Sequence, residues 1–138
     1  MIVLEENIES LIPQRSPFVM ISNLIEVGEK KIETDFFIRP NNLFIKNGLL
    51  QEAALIENIA QTCAAGFGYL NSKAGGQTML GFIGAITKLK VYSLPKVDTS
   101  ITTKVIVTHQ LENVYLVKGQ NSYLGKELLE CEMKIVIN

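Results

Sequence analysis

The chain has 138 residues, of which 47% are hydrophobic and 20% charged, and a net charge of −1. That balance suits one globular domain with one core, and a pI of about 5.9 excludes the basic footprint of a nucleic-acid binder. Mean hydropathy is +0.22, apolar for so small a protein, so some apolar surface is expected in an oligomer interface or a lipophilic tunnel.

The first residues, MIVLEENIES, lack the basic start and long apolar run of a signal peptide. Residues 5–11 predict a short amphipathic helix with Ile8, Leu11 and Ile12 on one side. Pro13 ends it, and Gln14, Arg15 and Ser16 form a turn or extended link to Pro17. Residues 18–27 and 31–38 predict two strands about a tight turn at Gly28 and Glu29. Pro40 breaks the second, and residues 43–48 read as irregular.

The longest helical pattern runs from 49 to 70. On a helical wheel Leu49, Ala53, Ile56, Ile59, Ala60, Cys63, Ala64, Phe67 and Leu70 form one broad apolar arc. Gln51, Asn58, Thr62, Ala65 and Tyr69 lie opposite. Ala60, Ala64 and Gly68 are small enough to let the helix approach a sheet closely. After a turn at 71–77, four strands are expected at about 78–93, 97–111, 113–123 and 126–137.

The stretch from 58 to 72 is nearly uncharged but too short to span a membrane, so a cytoplasmic protein is expected. Cys63 and Cys131 lack CxxC spacing and read as two reduced, buried thiols. The chain shows no metal-ligand cluster or glycine-rich phosphate loop, so no cofactor is expected.

One long helix among runs of strands predicts an α+β fold with the sheet packed on the helix. The hotdog fold, a curved antiparallel sheet wrapped around one central helix, has this layout. A sheet covering a single helix leaves edges exposed, which pairing across a two-fold axis would satisfy.

Three segments carry a resemblance. LIPQRSPFVMIS (11–22), GLLQEAALIENIAQTCAA (48–65) and GFIGAITKLKVYSLPKVDTSITTKV (81–105) resemble, in order, the opening, central helix and following strands of the β-hydroxyacyl-acyl-carrier-protein dehydratases. RPNNLFIKNGLLQEAALIENIAQ (39–61) is more similar still to a subgroup associated with aryl-polyene and flexirubin-type pigment clusters. The resemblance implies a hotdog dimer, of like or unlike subunits, holding an acyl thioester of acyl carrier protein or coenzyme A.

Dehydrating a 3-hydroxyacyl thioester needs a base at the α-carbon and an acid for the departing hydroxyl, with an oxyanion stabiliser such as a backbone N–H. In the family a His before the central helix is the base and a Glu or Asp on the helix is the acid. Glu57 matches the acidic position, at the edge of the apolar arc, and Gln61 follows one turn on. The matching stretch before the helix has no His, and Gln14 stands where the subgroup often has one. The only histidine, His109, falls late in a strand and reads as an ordinary surface or sheet residue.

The expected catalytic pair is therefore Glu57 with Gln61. Gln14, Phe44, Leu50, Ala53, Ala54, Ile83 and Ile86 are expected around the acyl chain. Arg15, Lys88 and Lys90 are expected to dock the acidic carrier protein. Without the histidine, the chain fits the non-catalytic half of a heterodimer or an acyl-binding homodimer. The alternatives are a hotdog thioesterase, in which a lone Glu57 activates water, and a non-enzymatic scaffold subunit.

Overall fold

The computed structural model describes residues 2–76 and 81–137. A 3-10 helix over Glu5–Ser10 opens the chain. Two strands follow, β1 (Asn23–Val27) and β2 (Lys31–Phe37), and a short hairpin of β3 (Ile45–Lys46) and β4 (Leu49–Leu50). The long helix α1 covers Glu52–Lys73. Four long strands complete the chain: β5 (Gly81–Val91), β6 (Ser100–Leu111), β7 (Val114–Tyr123) and β8 (Lys126–Ile137). The six longer strands form one sheet in the order β1-β2-β6-β7-β8-β5. Every neighbouring pair is antiparallel, and α1 touches all six strands. This is the expected α+β arrangement.

Several boundaries differ from the sequence reading, each for a local reason. The first strand begins at Asn23 rather than 18 because α1 takes over the backbone groups upstream. Met20 N donates to Gln61 Oε1 at 2.7 Å, Asn58 Nδ2 donates to Met20 O at 2.7 Å, and Gln61 Nε2 donates to Phe18 O at 2.9 Å. A segment whose peptide groups are used by side chains has none left for a ladder. The long helix starts three residues late because Leu49 and Leu50 belong to β4, reached through Asn47 and Gly48, both with positive φ. The strand expected from 78 begins in part outside the described residues; Gly81 is its first described position.

The face of α1 that meets the sheet takes only part of the apolar arc: Ile59, Cys63 and Phe67 are buried in the core. Leu55, Asn58, Ile59, Thr62 and Gly66 are buried, whereas Ala53 and Leu70 are exposed and Ile56, Ala60 and Ala64 half-buried. Burying Leu55 and Ile59 contributes about 1.5–3 kcal/mol each. Asn58 and Thr62 are fully buried because partners meet them. Asn58 Oδ1 accepts from Thr103 Oγ1 on β6 and from Asn121 Nδ2 on β7, the latter at 3.3 Å. Thr62 Oγ1 donates to Asn58 O at 2.8 Å and lies 2.7 Å from Thr34 Oγ1 on β2. Asn121 Nδ2 also donates to Leu55 O at 3.0 Å. A buried polar group costs little once it is hydrogen-bonded, so a polar stripe can face a sheet.

Close approach is made by glycines other than the expected set. A Cβ on Gly119 of β7 would strike Ile59, and one on Gly66 would strike Ile32. Gly68 does approach its neighbour closely, but that neighbour is the carbonyl of Leu11, not the sheet. Ala60 and Ala64 face elsewhere.

The sheet's two edges differ. The free side of β1 is covered by the N-terminal residues: Ile2 N and Val3 N donate to Leu24 O, and Leu24 N donates to Val3 O. β5 forms the other edge. It is exposed along nearly its whole length, and among the described residues no strand pairs with its outer side.

Candidate functional site

Glu57 lies on the side of α1 turned away from Asn58 and Thr62. Residues three and seven positions on, Ala60 and Ala64, share its face. Because these are alanines, a gap remains between α1 and the β5–β8 end of the sheet. The result is a cavity of about 270 Å³ lined by Glu57, Ala60 and Ala64 of α1 and by Pro13 and Gln14. Gly81, Phe82 and Ile83 of β5 and Ile135 and Ile137 of β8 complete the wall. Among the described residues, Glu57 is the only titratable side chain in this lining; the rest is apolar save for the Gln14 amide.

The carboxylate is held from one side. Gln61 Nε2 donates to Glu57 Oε1 at 3.0 Å. Gln61 itself is fully buried and does not line the cavity; its remaining bonds go to Met20 N and Phe18 O. It holds Glu57 from behind. The rim at Pro13 and Gln14 is shaped by Arg15. Arg15 Nη1 donates to Ile12 O and Gln14 O, both at 2.8 Å, and Arg15 Nε pairs with Glu9 Oε1 at 3.1 Å. Gln14 Oε1 is buried and has no hydrogen-bond partner.

Of the residues expected around an acyl chain, the structure brings Gln14 and Ile83 to Glu57 and leaves the others away from this cavity. Leu50 and Ala54 are sealed in the core, Phe44 is half-buried against it, and Ala53 is exposed at the start of α1. Ile86 is on β5 beyond the lining. Of the arc, Ala60 and Ala64 line the cavity while Ile59, Cys63 and Phe67 are buried in the core. Ala60, Ala64, Ile135 and Ile137 were not among the expected lining residues. Helical spacing from Glu57 was the available signal for the two alanines.

The basic residues also separate. Lys88 and Lys90 border a depression of about 200 Å³ with Lys118, Glu130, Cys131 and Glu132. Glu130 and Glu132 alternate on β8 with the buried Cys131 and Met133, so they and the lysines lie on the sheet's outer face, opposite the cavity. Lys88 Nζ pairs with Glu132 Oε2 at 3.1 Å. Arg15, bonded to the backbone of Ile12 and Gln14, does not border this depression. His109 is exposed on β6, 3.3 Å from Thr108 Oγ1, and is not part of the cavity.

Another cavity, about 230 Å³, lies beneath the 3-10 helix and includes Glu5, Phe37, Arg39 and Asn42. Its three charged residues are all paired, Glu9 with Arg15 and Glu5 with Arg39. Arg39 grips Glu5 through two bonds of 3.1 and 2.9 Å, and the guanidinium holds the Glu5 carboxyl below its ordinary range. Among the described residues no group of His, Cys, Asp and Glu is placed to hold a metal ion, and no helix is long and apolar enough to cross a membrane.

Comparison with known proteins bears on this geometry. The family model for ApeP-like proteins, described as ApeP dehydratase, matches residues 6–129.

The chain belongs to the ApeP-like dehydratase family.

No curated protein matches in sequence. Among solved structures, the dehydratase heterocomplex ApeI:P from Xenorhabdus doucetiae superposes with a TM-score of 0.88 at 15% identity, over 95% of this chain and 90% of that one. The uncharacterized protein PH1136 from Pyrococcus horikoshii gives 0.70 at 11% identity, over 100% and 95%. A hypothetical thioesterase from Streptococcus pneumoniae TIGR4, solved with coenzyme A, gives 0.65 at 11% identity, over 84% of each chain. The sheet around a single helix is the hotdog fold.

Proposed function

We propose that this chain is the acid-bearing subunit of a dehydratase-like hotdog pair, holding the acyl part of a 3-hydroxyacyl thioester in the Glu57 cavity. The observation that carries the reading is a lone carboxylate, anchored through one oxygen by Gln61, in an otherwise apolar pocket. Binding pockets for acyl groups are of this type, apolar with few placed polar groups. In the reaction, a base takes the α-proton, the β-carbon–oxygen bond breaks, and Glu57 gives its proton to the hydroxyl, which leaves as water.

Among the described residues the cavity offers no base of its own. Gln14 does not titrate, and His109 is elsewhere. A second hotdog subunit docking along the bare edge of β5 is the proposed source. The likeness to the dehydratase heterocomplex ApeI:P supports an unlike partner. A carrier-protein thioester is the proposed substrate form, with coenzyme A as the other thioester carrier to test.

The second reading is thioester hydrolysis, favoured by the single carboxylate, which suffices to activate water. One assay pair separates the two. Interconversion of crotonyl and 3-hydroxybutyryl thioesters changes ultraviolet absorbance, and hydrolysis releases thiol to Ellman's reagent. The proposal expects absorbance change only when an unlike hotdog partner is present, and expects Glu57→Gln to lower it by about 10²–10⁴-fold. Thiol release by the chain alone would replace it with hydrolysis. Silence in both, with acyl-thioester binding retained in native mass spectrometry, would mark a scaffold.

A further inference from the structure

Glu57 and Gln61 are four residues apart on α1, a spacing that stacks side chains on one face. The direction of the bond between them is fixed from outside. Met20 N–H can only donate, so the Gln61 atom 2.7 Å from it is the carbonyl oxygen. The amide nitrogen therefore points the other way, to Phe18 O at 2.9 Å and Glu57 Oε1 at 3.0 Å. Asn58 Nδ2 holds Met20 O at 2.7 Å as well, so the residue that orients Gln61 is tied to α1 through both of its peptide groups. Gln61 is wholly buried and has no spare donor with which to answer a ligand.

An amide N–H facing Glu57 Oε1 makes that oxygen an acceptor. Any proton on this carboxyl then resides on Oε2, for which the described residues supply no hydrogen-bond partner. We propose that Gln61 is a positioning residue that dedicates Glu57 Oε2 to the β-hydroxyl of the bound acyl chain, and thereby sets the cavity's preference for hydroxylated over plain acyl groups. The inference rests on the reading of the Glu57 cavity given above. It adds which oxygen acts, what fixes it, and what the cavity selects.

The test is calorimetric titration of the full chain with 3-hydroxyhexanoyl-pantetheine and hexanoyl-pantetheine. Wild type is expected to favour the hydroxylated probe by about tenfold, the worth of one good hydrogen bond. Gln61→Met keeps length but cannot donate, and Gln61→Glu keeps shape but turns an acceptor toward Glu57. Both should bring the preference close to one while affinity for hexanoyl-pantetheine stays within about twofold. A purely structural role would weaken both probes together, and that result overturns the proposal.

Glu57→Gln provides a check that leaves Gln61 untouched. Gln61 would draw the oxygen of the new amide and leave its nitrogen facing the ligand, so the hydroxyl preference should survive in Glu57→Gln and vanish in Glu57→Leu. Equal loss in both overturns the proposal. Equal binding of the two probes by wild type sinks the proposal and leaves the acyl-binding reading standing; binding of neither removes both.

Discussion

Ile59 of α1 rests directly on Gly119 of β7, with no room for a methyl group between them. The contact sets how deeply the helix sinks into the sheet. Gly119→Ala should force Ile59 or the backbone to move, at a cost of about 1–3 kcal/mol. A urea unfolding midpoint unchanged from wild type would show that the helix can lift without loss.

Asn58 is the hub of the polar contacts under α1, meeting Met20 O, Thr103 Oγ1 and Asn121 Nδ2. Replacing it by Leu keeps bulk but takes a partner from three buried groups, of which only Asn121 Nδ2 keeps another, Leu55 O. Each buried group left unpaired costs about 1–3 kcal/mol, so Asn58→Leu should destabilise far more than its hydrophobicity suggests. Equilibrium denaturation of Asn58→Leu beside Thr103→Val and the double variant gives the coupling directly.

Leu124 and Gly125 join β7 to β8 with positive φ at both residues, 48° and 82°, and the leucine is 88% exposed. A branched apolar residue pays for that conformation without burying anything. Leu124→Asn should stabilise the protein by about 1 kcal/mol, since Asn tolerates the left-handed region and Asn-Gly is the preferred two-residue hairpin pair. Thermal melting measures the gain.

Burial and the neighbouring Cys131 push the Cys63 thiol up to about 12, and burial with the nearby Glu130 and Glu132 pushes Cys131 up to about 11. In the unfolded chain thiols ionise near pH 8.5, at about that value. The folded state thus binds these protons more tightly. Its advantage is intact below about pH 8.5 and is lost as pH rises toward 11 and beyond. Urea midpoints at pH 7, 9 and 10 should fall in that order, less steeply in Cys63→Ala. Neither thiol should react with Ellman's reagent at pH 8 until the chain unfolds, which keeps the thioesterase assay free of background.

Ala60 forms part of the cavity wall one turn along from Glu57. Ala60→Phe would fill the space without entering the core. Acyl-thioester affinity should drop by about tenfold or more, with the melting temperature little changed. Undiminished binding would place the ligand elsewhere.

The layout of the fold was legible in the sequence because strand alternation and turn residues are local signals. The last three strands follow their breaks at 112–113 and 124–125 closely. The orientation of α1 was not legible. Asn58 and Thr62 look like solvent-facing residues until Thr34, Thr103 and Asn121 are known to lie opposite them, and those partners come from strands distant in the chain. Glu57 was found through the resemblance, whereas Phe44, Leu50, Ala53 and Ala54, expected near it, lie outside the cavity lining. The separation of Arg15 from Lys88 and Lys90 likewise depends on which sheet face each strand residue takes. Two bulges in β5, around Gly84 and around Lys88 and Leu89, change that alternation.

The unequal edges of the sheet have a consequence for growth. Val3 blocks one border while the other stays open. A unit able to couple on one flank alone behaves like a monofunctional reagent in a step-growth polymer: it joins once and terminates the chain. If pairing runs through that open border, such a molecule would stop at a closed couple instead of propagating a fibre through its strands.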